Sequence, residues 1–352
     1  MQEAPSFPDP RTDALALALA PRVGARGYRE RTEGFGTAAR AFDATIDPAL
    51  QPRLRDEARR LYADGERCGA RLLLFGDAEY PAVLEELFDP PPYLFTLGDL
   101  AVLSRPCVAI VGTRRATPYG ERVTTAIAGA LAAAGVCVVS GMARGIDAAS
   151  HRAALARGGT TAAVLGTGVD VAYPVAHRAL HGTIAERGVV ISEFPCGSRA
   201  ARASFPRRNR IIAALARLTI VVEAGEKSGA LITSDHALDL GRDVAVVPGP
   251  IESPQHVGSN KLLRMGAHPI LTVDDALSLL GLADASNTPA VAPTLQGDER
   301  AVWLALADGA TPIDALTERS ALTPRRSLTA VTALELAGLI ETLPTGELRR
   351  RR

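Results

Sequence analysis

Lysine is nearly absent from this chain: only Lys227 and Lys261 occur, and all other basic residues are arginine. With abundant alanine beside it, this preference reads as a compositional bias, so only the clustering of arginines carries information. The scarcity also excludes a P-loop ATPase of the usual kind, because G-x-x-x-x-G-K-[ST] needs a lysine after a glycine and neither lysine has one. Cysteine is equally sparse. Cys68, Cys107, Cys137 and Cys196 lie far apart without a C-x-x-C pair or a histidine at metal spacing, which argues against a disulfide framework or a zinc site. No apolar run reaches the 18 or so residues of a membrane span. The short run 15–20 has no basic segment before it, so a signal peptide is not expected. A cytoplasmic protein with reduced thiols is the expectation. No G-x-S-x-G elbow places Ser140 as a nucleophile, and no G-x-G-x-x-G opens the first strand–helix turn of the central region.

What is present is a globular composition, 47% hydrophobic and 22% charged, in a chain of 352 residues, long enough for two or three domains. The formal charge is zero but unevenly spread. Residues 1–100 hold 12 basic against 17 acidic residues, 101–296 hold 19 against 14, and 297–352 hold 8 of each. A polyanion would be drawn to the middle.

Helical patterns over 12–20, with Thr12 or Asp13 as cap, and over 37–42 and 50–64 predict a small N-terminal helical, SAM-like domain over residues 1–68, interrupted by a break at 21–27. A strand at 72–75, a short helix near 80–87 and an extended run at 93–97 lead into the next domain. From Pro106, apolar runs at 107–111, 136–140, 161–165, 189–192, 218–222 and 244–247 alternate with helical stretches near 119–134, 146–157, 176–187, 207–217 and 230–240. This alternation predicts an α/β fold: an extended Rossmann-like, doubly wound parallel sheet over 69–282. Residues 283–296, rich in Ala, Pro, Ser and Thr, read as a linker. Three helices and a hairpin beyond it, 297–352, read as a winged-helix domain. Its presumed recognition helix offers only Arg325 and Arg326, and Arg349–Arg352 end the chain.

Ligands of doubly wound sheets bind outside the carboxyl ends of the strands. There the sequence places Gly112-Thr113-Arg114-Arg115, then Gly141-Met142-Ala143-Arg144-Gly145-Ile146-Asp147, then Gly166-Thr167-Gly168, Glu223–Ala230 and Pro248-Gly249-Pro250. Glycines admit a phosphate to the backbone, and the following helices aim N–H groups at it. From Arg199 to Arg217 six arginines occur with no acidic residue. The stretch Ser204-Phe205-Pro206-Arg207-Arg208-Asn209-Arg210, with Pro206 in a first helical turn, gathers cations at the helix end that ordinarily disfavours them. It reads either as a solvated arginine face or as a phosphate clamp with Phe205 stacking on a base. Asp147 reads as the cap of its helix, and His151, about a turn later, as a packed histidine that could face it. No pair of residues demands catalysis.

These motifs, together with Ile110-Val111-Gly112-Thr113-Arg114, Val222-Glu223-Ala224 and Val247-Pro248-Gly249, resemble the DNA-processing protein A (DprA/Smf) family over about residues 70–280. The resemblance implies a non-enzymatic single-stranded-DNA-binding protein without cofactor or metal. Such a protein protects DNA in natural transformation and recombination, and loads the RecA recombinase past single-strand-binding protein. It further implies a homodimer, with duplex DNA or protein contact through the winged helix. Carried over, Gly112, Thr113, Arg114, Arg115, Gly141, Arg144, Phe205, Arg207, Arg208, Asn209 and Arg210 become the DNA-contact candidates. At Val175 an apolar residue replaces the family's basic one, removing a contact unless Arg178 takes its place. Two further readings stand beside this. Phosphoribohydrolases acting on nucleoside monophosphates share the sheet, but their P-G-G-x-G-T-x-x-E loop is not found at residues 223–230. An adaptor role for the end domains is compatible with DNA binding.

Overall fold

Apolar runs of four or five residues, too short for helices, become the strands of a nine-stranded sheet in the computed structural model, which describes residues 9–282, 295–306, 311–337, 339–343 and 346–350. The described chain forms two compact units, divided near residue 286.

The first unit opens with four helices: α1 (Pro10–Leu19), α2 (Gly24–Phe35), α3 (Ala38–Thr45) and α4 (Gln51–Arg67). Asp9, not Thr12 or Asp13, caps α1, its carboxylate accepting the N–H groups of Arg11 and Thr12. Asp13 instead accepts from Arg55 on α4. The expected break at 21–27 is only a turn, with Arg22 at φ 65°, and α2 begins inside it. Leu15, Leu17, Tyr28, Phe42 and Leu54 form the core of this bundle, which packs on Leu74 of β1 (Arg71–Leu74).

β1 pairs antiparallel with β2 (Tyr93–Gly98). The chain then alternates β3 (Cys107–Val111), α5 (Pro118–Ala133), β4 (Cys137–Ser140), α6 (Ile146–Ala156), β5 (Thr161–Val164), α7 (Arg178–Arg187), β6 (Val189–Ser192), α8 (Ser204–Leu215), β7 (Leu218–Val221), α9 (Gly229–Asp239) and β8 (Asp243–Val246). α10 (Val257–Arg264), β9 (His268–Pro269) and α11 (Val273–Ser278) follow. The strand order is β1-β2-β6-β5-β4-β3-β7-β8-β9, parallel from β6 to β9, with β2 antiparallel to β6. Every residue of β3 to β7 is buried, as a sheet covered on both faces requires. Cys107, Ala109 and Val111 pack with α8 and α9, while Val108 and Ile110 pack with α5 and α6. Each fully buried Val or Ile side chain contributes roughly 1.5–3 kcal/mol relative to exposure.

Topology places the ligand crevice. The chain runs from β3 outward to β6, then returns to the other side of β3 with β7. Loops leaving β3 and β7 therefore part company here, which is where doubly wound sheets open a cleft.

In the second unit, α12 (Gly297–Ala305), α13 (Ile313–Ser320) and α14 (Pro324–Leu336) precede the antiparallel pair β10 (Ile340–Thr342) and β11 (Leu348–Arg350). Val302, Leu306, Leu316, Val331, Leu334 and Ile340 form its core. Residues 283–294 of the expected linker, Pro344 and Thr345 of the expected turn, and the last two arginines lie outside the described residues.

Candidate nucleic-acid interface

Two adjoining cavities, of about 400 and 640 Å³, open at the carboxyl edge of the sheet beside β3 and share Arg114, Ala143, Tyr173, Phe205 and Arg208. α8 starts at Ser204, two residues ahead of the expected proline, and leaves Phe205 half-buried between the cavities. The Arg114 guanidinium lies 5.0 Å over the Phe205 ring, and the ring of the exposed Tyr173 sits 5.4 Å from it, tilted by 35°. Phe205 thus has an arginine and a tyrosine as companions, and Tyr173 carries the aromatic surface out to solvent.

Arg208 forms the floor. It is only 4% exposed, yet it borders both cavities. Its Nη1 donates to the carbonyls of Gly141 (2.8 Å) and Val164, and its Nε to Oδ1 of Asn209 (3.0 Å). Burial pushes its guanidinium down to about 10, partly offset by Asp147, so it remains a cation at neutral pH. Gly141 is required beneath it, since a Cβ there would stand 2.2 Å from Nη2 of Arg208. Asn209 is positioning rather than open, its amide donating to the Gly229 carbonyl at 3.1 Å.

The loop after β4 is built to bring Gly141 and Arg144 to this edge. Asp147 is not the cap of α6; its carboxylate reaches back to accept the N–H groups of Gly141 (3.2 Å) and Ala143 (3.3 Å). Burial pushes the Asp147 carboxyl above the usual range, opposed by Arg208 and those donors. Gly145, at φ 74°, passes so close to the first loop that a Cβ would meet the Thr113 carbonyl at 2.3 Å. Met142 sits in the left-handed region at φ 55°, its carbonyl accepting from His177 at 3.0 Å. Such strained positions cluster at functional loops. The Thr113 N–H donates to the Glu223 carbonyl at 2.7 Å, which pins the Gly112–Arg115 loop between β3 and β7.

The candidates divide. Gly112, Thr113, Arg114, Arg115, Gly141, Arg144, Phe205, Arg208 and Asn209 all border the cavities. Arg207 and Arg210 do not. Arg210 turns the other way along α8 and makes a two-pronged pair with Glu193, at 3.0 and 2.8 Å, with Asp89 3.8 Å away. Arg207, 54% exposed, joins the same carboxylate at 3.1 Å. At a helical pitch of 3.6 residues, positions 207 and 210 share a face that 208 does not. Sequence reading saw the absence of acids between 199 and 217 but missed Glu193, which the fold supplies from the end of β6. Gly166 and Lys227, placed at this edge by the sequence, and Arg202 of the arginine cluster also border the cavities without having been named as contacts, and Tyr173 joins them; Arg178 is exposed and borders neither. Among the described residues no carboxylate pairs with Arg114, Arg115, Arg144, Arg202 or Arg208. His151 does not face Asp147: its Nδ1–H is assigned as donor to the Thr161 hydroxyl (2.6 Å), because that hydroxyl gives its own proton to the Val138 carbonyl.

A family model described as DNA recombination-mediator protein A matches residues 71–281, and one described as the DprA winged helix domain matches 286–346. The chain belongs to the DNA recombination-mediator protein A family. A relative from Mycobacterium tuberculosis is 42% identical over 294 residues, covering 78% of this chain and 76% of its own length. Protein Smf of Escherichia coli is 38% identical over 290 residues, covering 80% and 78%. Among solved structures, DprA from Streptococcus pneumoniae superposes with a TM-score of 0.64 at 33% identity, over 77% of this chain and 93% of that one. DprA from Helicobacter pylori, in a structure concerned with its single-stranded DNA binding mode, gives 0.56 at 31% identity, over 60% and 96%. The α/β fold with a C-terminal winged helix is the fold of this family, whose members are DNA-processing proteins. Among the described residues, no helix is long and apolar enough to cross a membrane.

Proposed function

We propose that this member of the family binds single-stranded DNA along the carboxyl edge of its sheet and acts as a recombination mediator. The observation that carries the reading is Arg208, a buried cation whose partners are carbonyl groups and an amide oxygen, set at a cavity rimmed by unpaired arginines. Asp147 offsets this buried charge only in part and no carboxylate touches it, so an arriving phosphate lowers the remaining cost. Phosphates of the strand meet Arg114, Arg115, Arg144 and Arg208; bases lie against Phe205 and Tyr173. Contacts of this kind are indifferent to sequence and weaken with salt. Gly112, Thr113 and Gly141 allow close backbone approach, and Asn209 orients Arg208.

The protein is, on this reading, a cytoplasmic, non-enzymatic homodimer that shields the strand and hands it to RecA past single-strand-binding protein, in competence or repair. The domains divide at 1–68, 69–282 and 297–352 around a linker, with the winged helix contacting duplex DNA or protein. Family membership and the solved relative that binds single-stranded DNA support this reading. Two buried carboxylates at this edge are engaged structurally, Asp147 by loop N–H groups and Glu223 by the N–H and hydroxyl of Thr117, and neither is free to act as a base in the phosphoribohydrolase reading. Fluorescence anisotropy with single- and double-stranded oligonucleotides is the test. Preference for the single strand is expected, together with no base released from nucleoside monophosphates; equal weak binding to both strands overturns the proposal.

A further inference from the structure

Folding brings together two of the four dispersed cysteines. Cys68 closes α4, Cys196 lies just after β6, and Asp170 follows β5. The Cys68 thiol donates to Oδ2 of Asp170 at 3.6 Å, and the three ligand atoms all lie within 4.8 Å of one another. A tetrahedral Zn²⁺ with Zn–S of about 2.3 Å and Zn–O of about 2.0 Å has S···O edges of roughly 3.5 Å and S···S edges of roughly 3.8 Å. The Cys68–Asp170 separation already matches the S···O edge, and the remaining two edges lie within an ångström or so of the tetrahedral values.

It is also held in place. Both carboxylate oxygens of Asp170 accept the Gly197 N–H, at 2.8 and 3.0 Å, which orients the carboxylate as outer partners orient metal ligands. The Gly168 N–H donates to the Ser198 carbonyl at 2.9 Å, tying the Asp170 loop to the Cys196 loop. Cys68 stands at the carboxyl end of a 17-residue helix, the end that favours cations. Burial first, then the charge of Asp170, keeps both thiols protonated, with Cys196 pushed up to about 12. A divalent cation reverses both effects. The other pair, Cys107 and Cys137, is buried in the sheet, and Cys107 donates to the Arg105 carbonyl at 3.4 Å; no carboxylate or histidine joins it in a ligand cluster among the described residues.

We propose that Cys68, Asp170 and Cys196 form a site for a thiophilic divalent cation of the Zn²⁺ class, with water as fourth ligand. Binding displaces the two thiol protons to solvent. The ion joins the end of α4 to the loops after β5 and β6. The first of these loops carries Gly166 and Thr167 of the cleft wall, so the metal braces the DNA-binding edge from behind.

The test uses the full-length, reduced, chelator-stripped protein titrated with Co²⁺ and then Zn²⁺. One Co²⁺ per chain is expected, with sulfur-to-metal charge-transfer bands and tetrahedral ligand-field intensity, displaced by Zn²⁺. Cys68→Ser with Cys196→Ser loses both signals although Cys107 and Cys137 remain. In the unmodified chain, Zn²⁺ slows alkylation of Cys68 and Cys196 by roughly tenfold or more, since a bound thiolate is no longer a free nucleophile. This readout holds even if the double variant fails to fold. Unchanged alkylation with Zn²⁺ present, or equal Co²⁺ binding by the double variant, overturns the site. So does recovery of the reduced protein with the pair reoxidised to a disulfide and no metal uptake. None of these readouts involves DNA.

Discussion

In the C-terminal unit three arginines have partners from within: Arg326 holds Asp298 at 2.6 Å, Arg349 holds Glu341 at 2.6 Å, and Arg350 lies 4.5 Å over the ring of Trp303. At the carboxyl edge of the large sheet, Arg114, Arg115, Arg144 and Arg208 touch no carboxylate among the described residues; Arg114 lies over Phe205 and Arg208 donates to carbonyls. The same contrast recurs within α8, where Arg210 contacts the Glu193 carboxylate and Arg208 contacts only carbonyl and amide oxygens. A cation that folding has already paired adds to stability or solubility. One that folding leaves unpaired at a concave surface is available to a ligand. That difference, and not the number of arginines, is the basis of the proposed interface.

The largest way to test the contrast is at Glu193, whose side chain is 1% exposed. Glu193→Gln leaves the nearly buried Arg210 with the Asp89 carboxylate at 3.8 Å as its remaining counter-charge, at a cost on the order of 3 kcal/mol in urea unfolding. Single-stranded DNA affinity of the folded variant should stay within about threefold, because neither Glu193 nor Arg210 borders the cavities. Charge reversal on the other side, Arg114→Glu with Arg144→Glu, should do the opposite. At about 1.5–3 kcal/mol per charge-assisted contact, affinity falls by a hundredfold or more while the unfolding midpoint barely moves.

Buried bases sharpen the comparison. Arg208 stays charged although buried, whereas burial pushes His151 down to about 3 from 6.5 and keeps it neutral. Between those two values the unfolded chain binds the proton and the folded one does not, so stability rises with pH through this window and is fully present above it. Going from pH 7 to pH 4.5 should cost the wild type on the order of 2 kcal/mol more than His151→Asn, measured by urea unfolding at each pH. The smallest effect belongs to the C-terminal unit. Breaking the exposed pair with Arg326→Ala should leave the thermal unfolding midpoint nearly unchanged, because solvent screens it.

Much of this was legible in the sequence. Apolar runs such as 107–111 and 218–222 marked the strands because a doubly covered sheet tolerates no polar interruption. Glycine-rich turns after them marked the site edge because close backbone approach admits no side chain. What could not be read was partnership across distance. Glu193 lies 17 residues from Arg210 and Asp170 lies far from Cys68, and no local pattern announces either encounter. Nor did the periodicity mark α2, α10 and α11: the first starts beside a proline and contains glycines, and the others are only 8 and 6 residues long. Asp147 was assigned the commonest role of an acid near a helix start, when its carboxylate serves the preceding loop.

The central claim is that unpaired guanidinium groups at the sheet edge neutralise the phosphates of a single strand. Its most direct test is the slope of log affinity against log salt for a single-stranded oligonucleotide, compared between wild type and the Arg114→Gln, Arg144→Gln pair. If both arginines meet phosphates, the slope shrinks by roughly 0.7 for each of them. Parallel lines for the two proteins would contradict the account.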